Sequence, residues 1–276
     1  MSASQTKATH DSDGHGTHCL GTILGREVDG LRIGVAPGIT DVVVAKVVPD
    51  GANGTSTMLC DALVWAWQQG ANIINISLTY DLLAKTEELL LDNVPQRDAE
   101  NTVQQLLASN LIVLERIIAV LQDGDALRPP PLVIAACGNA STASTKVHAY
   151  LPAAVHGVLS VAAAQRCPDG LTIASFSNVG ARVCAPGVAV WSAAAGSACT
   201  GAHLLSVLSG TSMAAPHVTG VAALWWEQAR KQEVPEDEVA QFVAEKLGAF
   251  ATHEGFVSGV NHFWIGRGIV QAPAAK

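Results

Sequence analysis

Four short, mostly apolar runs constrain this chain most: Asp41–Val48, Ala71–Leu78, Leu132–Asn139 and Gly157–Ala164. Each is too short for a core helix and lacks the alternation of a half-exposed strand, so each is predicted to be a strand buried on both faces. Between the first two, Thr57–Gly70 puts Leu59, Leu63 and Trp67 on one side of a helix that Gly70 ends. A strand, helix, strand order requires a crossover and therefore a parallel sheet. The expected class is α/β, with helices covering both faces of a mostly parallel sheet.

The stretch Tyr80–Pro131 differs in character. It is rich in Leu, Glu, Gln and Asp, and its leucines recur at helical spacing, so it is predicted to be two helices joined near Asn93–Asp98. Pro129–Pro131 end the second helix sharply. Later, a helix beginning near Ser212 is predicted to run to about Gln232, Glu236–Leu247 is predicted to be amphipathic, and Gly266–Val270 to be a closing strand or turn. Residues 1–276 are expected to form one domain with a helical insertion at about 80–131.

Composition narrows the function classes. Hydrophobic residues make up 49% and charged residues 14% of the chain, as in a packed globule. With 16 basic and 24 acidic residues the formal charge is −8 and no basic stripe is present, which argues against nucleic acid and anionic membranes as partners. No uninterrupted apolar run is long enough to cross a bilayer. The opening residues lack a secretory pattern, so the chain as written is expected to be cytoplasmic, or secreted if it is a fragment of a longer precursor. The six cysteines form no Cys-x-x-Cys pair and are expected to be mostly small buried hydrophobes; the sequence leaves open a Cys167–Cys199 or Cys184–Cys199 bridge.

Three segments carry chemistry. Gly14-His15-Gly16-Thr17-His18 leads into an apolar helix, Ala135-Ala136-Cys137-Gly138-Asn139 closes a strand, and Gly210-Thr211-Ser212-Met213-Ala214 opens a helix with Pro216 inside it. Taken singly, Ser212 is a helix cap, Asn139 a turn residue and His15 a structural or surface histidine. In an open α/β sheet such strand and helix ends gather at one edge. Together they supply what acyl transfer requires: a hydroxyl nucleophile, an imidazole to take and return its proton, and a neutral donor for the oxyanion.

These motifs, in this order, resemble the subtilisin-like serine proteases (subtilases, the S8 peptidase family). Gly34–Pro37, Asn75–Leu78, Ala174–Ser177 and Ala185–Gly187 add lesser echoes, and the likeness runs from about Asp11 to Ala272. The resemblance implies a three-layer subtilisin-like fold, with His15 as general base, Ser212 as nucleophile and Asn139 in the oxyanion hole. It implies a polypeptide substrate lying between Ser77, Leu78 and Thr79 on one side and Ala136, Cys137 and Gly138 on the other. Thr79 stands where the family usually has glycine, and with Cys137 it is expected to narrow that space.

One family feature is absent. The catalytic aspartate of subtilases lies on a strand well upstream of the histidine, and only 14 residues precede His15 here. Asp11 and Asp13 belong to the loop entering the histidine helix, which suits neither to that role. The N-terminal strand of the sheet is therefore expected to be missing, and activity to be weak unless a second chain or a missing N-terminal segment supplies the aspartate. The alternative is a catalytically impaired subtilase-like domain that binds a partner through the acidic stretch Asp81–Asp125; an esterase or acyltransferase on the same site is a third reading. Calcium is common in the family, but Glu27 and Asp29 in the loop Arg26–Ile33 do not make a ligand set, so no cofactor is expected.

Overall fold

The fold was read from a computed structural model, which describes residues 11–125, 127–196 and 204–274. Cys199, and with it either bridge proposed for it, lies outside the described residues. Cys167 donates its thiol to the Gly170 carbonyl at 3.1 Å.

The central sheet contains β3 (Ile73–Ile76), β4 (Leu132–Ala136), β5 (Leu159–Cys167), β6 (Gly170–Ile173) and β7 (Val183–Pro186). β3 pairs parallel with β4, β4 with β5 and β5 with β7, while β6 returns antiparallel on β5. Successive residues of β4 enter opposite cores. Val133, Ala135 and Cys137 join one cluster and Leu132, Ile134 and Ala136 the other. The first cluster is closed by α2 (Ser56–Gln68), α4 (Gln96–Asp123) and α7 (His262–Ile265), the second by α5 (Thr211–Lys231) and α6 (Val239–Ala249). That is the three-layer α/β arrangement, and both-face burial accounts for the unbroken apolar text of β4.

The expected helices stand within about three residues of where periodicity puts them; α6 begins at Val239 rather than Glu236. Tyr80–Pro131 contains α3 (Leu82–Leu91) and α4, with Asp81 capping α3 through a bond from the Ala84 N–H. By length and composition α4 could cross a membrane, which no uninterrupted apolar run in the sequence indicated. Its periodicity explains why: Leu114, Ile118 and Leu121 lie on one buried stripe, while Leu106, Ile112, Val113 and Val120 are exposed.

Two expectations are corrected. Arg26–Ile33 is a hairpin rather than a loop: β1 (Glu27–Val28) pairs antiparallel with β2 (Leu31–Arg32), and Asp29 and Gly30 both take positive φ at the turn. This is the geometry that Asp-Gly favours between paired strands. More consequentially, Asp41–Val48 forms no strand, and Val42, Val43, Val44 and Val48 are 42 to 59% exposed. A β-branched run becomes a strand only when a neighbour completes its ladder. Here the nearest face of the sheet, the outer edge of β3, stands across an open cavity of about 1800 Å³.

Beyond the central sheet, α1 (His15–Leu24) packs on α5 and on β8 (Val190–Ala193), which pairs antiparallel with β9 (Leu205–Leu208). Gly21 makes the approach to β8 feasible, since a Cβ there would stand 2.5 Å from Ser192 Oγ.

Candidate active site

The site is assembled where α1 and α5 begin and where β3 and β4 end. α1 starts at His15, and its first turn is held by Asp11. That carboxylate accepts from the Gly14 N–H at 2.9 Å, the Thr17 N–H at 2.8 Å and the Thr17 hydroxyl at 2.6 Å. Burial raises the Asp11 pKa, but these hydrogen bonds outweigh it and hold the group below its ordinary value. Asp11 thus caps the helix. Among the described residues the His15 side chain has no hydrogen-bond partner, and it lines the end of the cavity beside β3.

Ser212 is the second residue of α5. Its Oγ donates to the Ser77 carbonyl at 3.0 Å, just beyond the end of β3. Its own carbonyl would ordinarily accept from the N–H four residues on, but that residue is Pro216, which has none. Two other donors replace it: the Ser77 hydroxyl at 2.9 Å and the Cys19 thiol at 3.4 Å. The proline inside the helix therefore joins the serine turn to β3 and to α1. Burial pushes the Cys19 thiol up to about 11, so it acts there as a neutral donor.

Asn139 follows β4. Its Oδ1 accepts from both the Thr211 N–H and the Thr211 Oγ1, each at 2.9 Å. These two hydrogen bonds to the oxygen fix the amide orientation and leave Nδ2 as a donor without a partner among the described residues. Gly138 N–H donates in turn to Thr211 Oγ1 at 3.1 Å. One threonine thus ties the end of β4 to the start of α5, and the helix N-terminus adds its positive dipole end beside Ser212.

The flanking residues divide. Ser77 is engaged with Ser212, and Leu78 and Thr79 are half-buried after β3. Ala136 and Cys137 are fully buried, their side chains turned into the two opposite cores. The Cys137 thiol donates to Asn178 O at 3.2 Å, and burial pushes its pKa up to about 12.

The roles of three supporting residues escaped the sequence reading. Thr211 orients Asn139, Asn178 Oδ1 accepts the Ala140 and Ser141 N–H groups at 2.9 and 3.0 Å, and Pro216 frees the Ser212 carbonyl. Only the proline left a signal in the sequence, as a helix breaker inside a helical pattern. His18 and His217 sit behind the site. Each bonds a backbone carbonyl, Val190 at 3.0 Å and Met213 at 2.8 Å, and burial lowers the pKa of both. Among the described residues no group of three or more His, Cys, Asp and Glu is placed to hold a metal ion.

Comparison with known proteins gives the same frame. Subtilisin DY of Bacillus licheniformis is 29% identical over 267 residues, covering 96% of this chain and 78% of that protein. A thermostable alkaline protease of Halalkalibacterium halodurans is 33% identical over 217 residues, and the chain spans 47% of it. Among solved structures, a lanthipeptide protease superposes with a TM-score of 0.65 at 22% identity, covering 94% of this chain and 74% of that one. A cold-adapted subtilisin-like serine proteinase gives 0.60 at 24% identity, covering 97% and 77%. The family model described as the subtilase family, peptidase S8, matches residues 2–259. By that match over nearly its whole length, this chain belongs to the subtilase family.

Proposed function

We propose that the chain is a serine endopeptidase that cleaves polypeptides through an acyl-enzyme on Ser212. Ser212 Oγ leaves the Ser77 carbonyl and attacks the scissile carbonyl carbon while His15 takes its proton. The oxyanion is met by Asn139 Nδ2 and the Ser212 N–H, the C–N bond breaks as His15 protonates the departing amine, and water then hydrolyses the ester by the reverse proton route. The observation that carries this reading is the fixed Asn139 amide, pinned through Oδ1 so that an uncommitted N–H donor stands beside a serine at a helix N-terminus. No cofactor is required by it, and the helices α3 and α4 are read as an insertion in a single catalytic domain.

His15 without an oriented partner predicts weak turnover. Loss of the orienting carboxylate costs on the order of 10⁴ in kcat in a related triad, while the oxyanion hole and binding retain part of the acceleration. We infer that the carboxylate comes from a polypeptide segment outside the described residues. The test is labelling by a fluorophosphonate, with the adduct located by peptide mass spectrometry. Slow labelling at Ser212, lost in Ser212→Ala, is expected. No adduct under prolonged exposure would overturn the peptidase reading; labelling as fast as that of a complete subtilisin would overturn the need for an added carboxylate.

A second reading is a catalytically impaired domain that binds a partner. It is favoured by the exposed apolar side chains along α4, Leu106, Val113 and Val120 at seven-residue spacing. Retained peptidase activity lost on Ser212→Ala would decide against it.

A further inference from the structure

The chain is acidic overall, yet one part of its surface is not. Four of the 16 Lys and Arg residues but only two of the 24 Asp and Glu residues lie in 140–185 and 251–272, together with four of the nine histidines. The fold gathers these bases around α7. Lys146 Nζ stands 5.1 Å from the Trp264 ring centroid, the His148 ring 5.5 Å from that of Phe263, and the His253 ring 4.4 Å from that of His262. His253 Nε2 donates to the Gly266 carbonyl at 3.1 Å, and the Arg267 N–H donates to the Arg182 carbonyl at 2.9 Å. Because these residues come from separate stretches of the chain, no basic stripe shows in the sequence.

Most of these side chains face water uncommitted. His148, Arg182, His253, His262 and Arg267 are exposed, and neither guanidinium has a hydrogen-bond or ion-pair partner among the described residues. The two acids, Asp169 and Glu254, stand at one margin, where the Gly255 carbonyl accepts from the Leu171 N–H at 2.7 Å. Phe263, packed against His148, is 52% exposed. Arginine and aromatic side chains with few acids are the composition of a protein-binding surface. A guanidinium also presents a fork of donors that matches a carboxylate.

We propose that the surface around α7 is a docking site for an acidic segment of the polypeptide substrate, bound away from the bond that is cleaved. Charge selects the ligand. The rest of the chain carries nearly all its acids and repels such a segment, which directs it to this face. Asn178 joins the surface to the catalytic residues. Its Oδ1 accepts from the Ala140 and Ser141 N–H groups, directly after Asn139, and its Nδ2 donates to the His148 carbonyl at 3.1 Å. One buried amide thus spans from the turn after Asn139 to the near edge of the basic surface. An extended chain covers about 3.3 Å per residue, so a few residues carry a substrate across that gap. That the ligand is substrate rests on the peptidase reading above; that the surface binds an acidic peptide does not.

The probe is a short blocked peptide of Glu and Asp around one Phe, with a companion in which every acid is replaced by its amide. Both are titrated calorimetrically into the full chain carrying Ser212→Ala, so that neither is cleaved. The acidic peptide is expected to bind about tenfold or more tightly than its companion, with an affinity that falls as salt rises. Arg182→Gln with Arg267→Gln is expected to remove about tenfold of that affinity, and either single change part of it if the double variant fails to fold. Arg97→Gln with Arg116→Gln on α4 leaves it unchanged. Joined to a cleavable peptide by a short flexible linker, the acidic segment is expected to lower KM about tenfold at unchanged kcat, and to lose that gain in the Arg182 and Arg267 variant. Equal binding of the two peptides, or binding untouched by the Arg182 and Arg267 changes, overturns the docking site. Tighter binding of an oligonucleotide of equal charge overturns it likewise, as does salt-sensitive self-association abolished by those changes, which assigns the face to a second copy. Binding with KM unmoved upholds the docking surface and overturns substrate as its ligand. Binding with no substrate cleaved overturns the peptidase reading and leaves the surface standing.

Discussion

Thr211 donates its N–H and its hydroxyl to the same Asn139 oxygen, each at 2.9 Å. One residue of α5 thereby decides which atom of an amide 72 residues earlier in the chain is left to donate. Asn139→Ala is expected to lower kcat by about 10²- to 10³-fold with little change in KM, the signature of an interaction made only in the transition state. Thr211→Val, which keeps the N–H bond but loses the hydroxyl, is expected to lower kcat less. Steady-state kinetics on a peptide substrate separate the two.

The carbonyl of Ser212, released by Pro216, accepts from the Ser77 hydroxyl and the Cys19 thiol. Ser77→Ala leaves a part-buried acceptor with its weaker partner and is expected to cost about 1–3 kcal/mol. Pro216→Ala restores the missing helical donor. Combined with Ser77→Ala it is expected to cost less than the sum of the single changes, because the two residues serve one acceptor. Urea midpoints of the four proteins give the coupling.

Asp11, in the segment that leads into His15, is committed to the first turn of α1. Asp11→Ala is expected to cost about 1 kcal/mol as a lost helix cap. Thermal unfolding checks the loss. Labelling of Ser212 at a temperature where both proteins are folded is expected to change by far less than the roughly 10⁴-fold that loss of a triad aspartate brings.

His18 and His217 have folded-state pKa values lowered from 6.5 by burial. Above that pH both are neutral in folded and unfolded chains alike. As pH falls below 6.5, the unfolded chain takes up protons that the folded one refuses, so stability falls. Asp11, also lowered, adds a further loss only below about its ordinary value of 3.8. Urea midpoints measured from about pH 8 down to pH 5 are expected to decline, and to decline less steeply in His18→Asn, which removes one linked proton.

Gly220 lies inside α5 with its Cα against Val35, where an added Cβ would come within 2.5 Å of the valine Cβ. Alanine gains about 1 kcal/mol of helix propensity over glycine, whereas overpacking typically costs about 1–3 kcal/mol. Two side-chain carbons of Val35 are too close for a small rotation to relieve the contact. Gly220→Ala is therefore expected to destabilise, and Gly220→Ala with Val35→Ala to recover part of the loss, as read from denaturant midpoints.

Much of this molecule was legible in its sequence because short-range physics sets it. Short, mostly apolar runs at 71–78, 132–139 and 157–164 read as strands covered on both sides, and the periodicities in 57–70 and 80–131 read as helices. The residue types of acyl transfer were legible for the same reason: a hydroxyl at a helix start and an amide after a buried strand are local facts. Tertiary structure decided the rest. Asp41–Val48 has the composition of its neighbours yet forms no strand, because a ladder needs a second chain segment and the edge of β3 stands off across a cavity. Which nitrogen or oxygen of Asn139 faces the site depends on Thr211, and whether the Ser212 carbonyl has a partner depends on Ser77, 135 residues earlier. Hydrogen bonds between residues so far apart in sequence leave no periodic trace along it, since they exist only once the sheet has brought both ends to one edge.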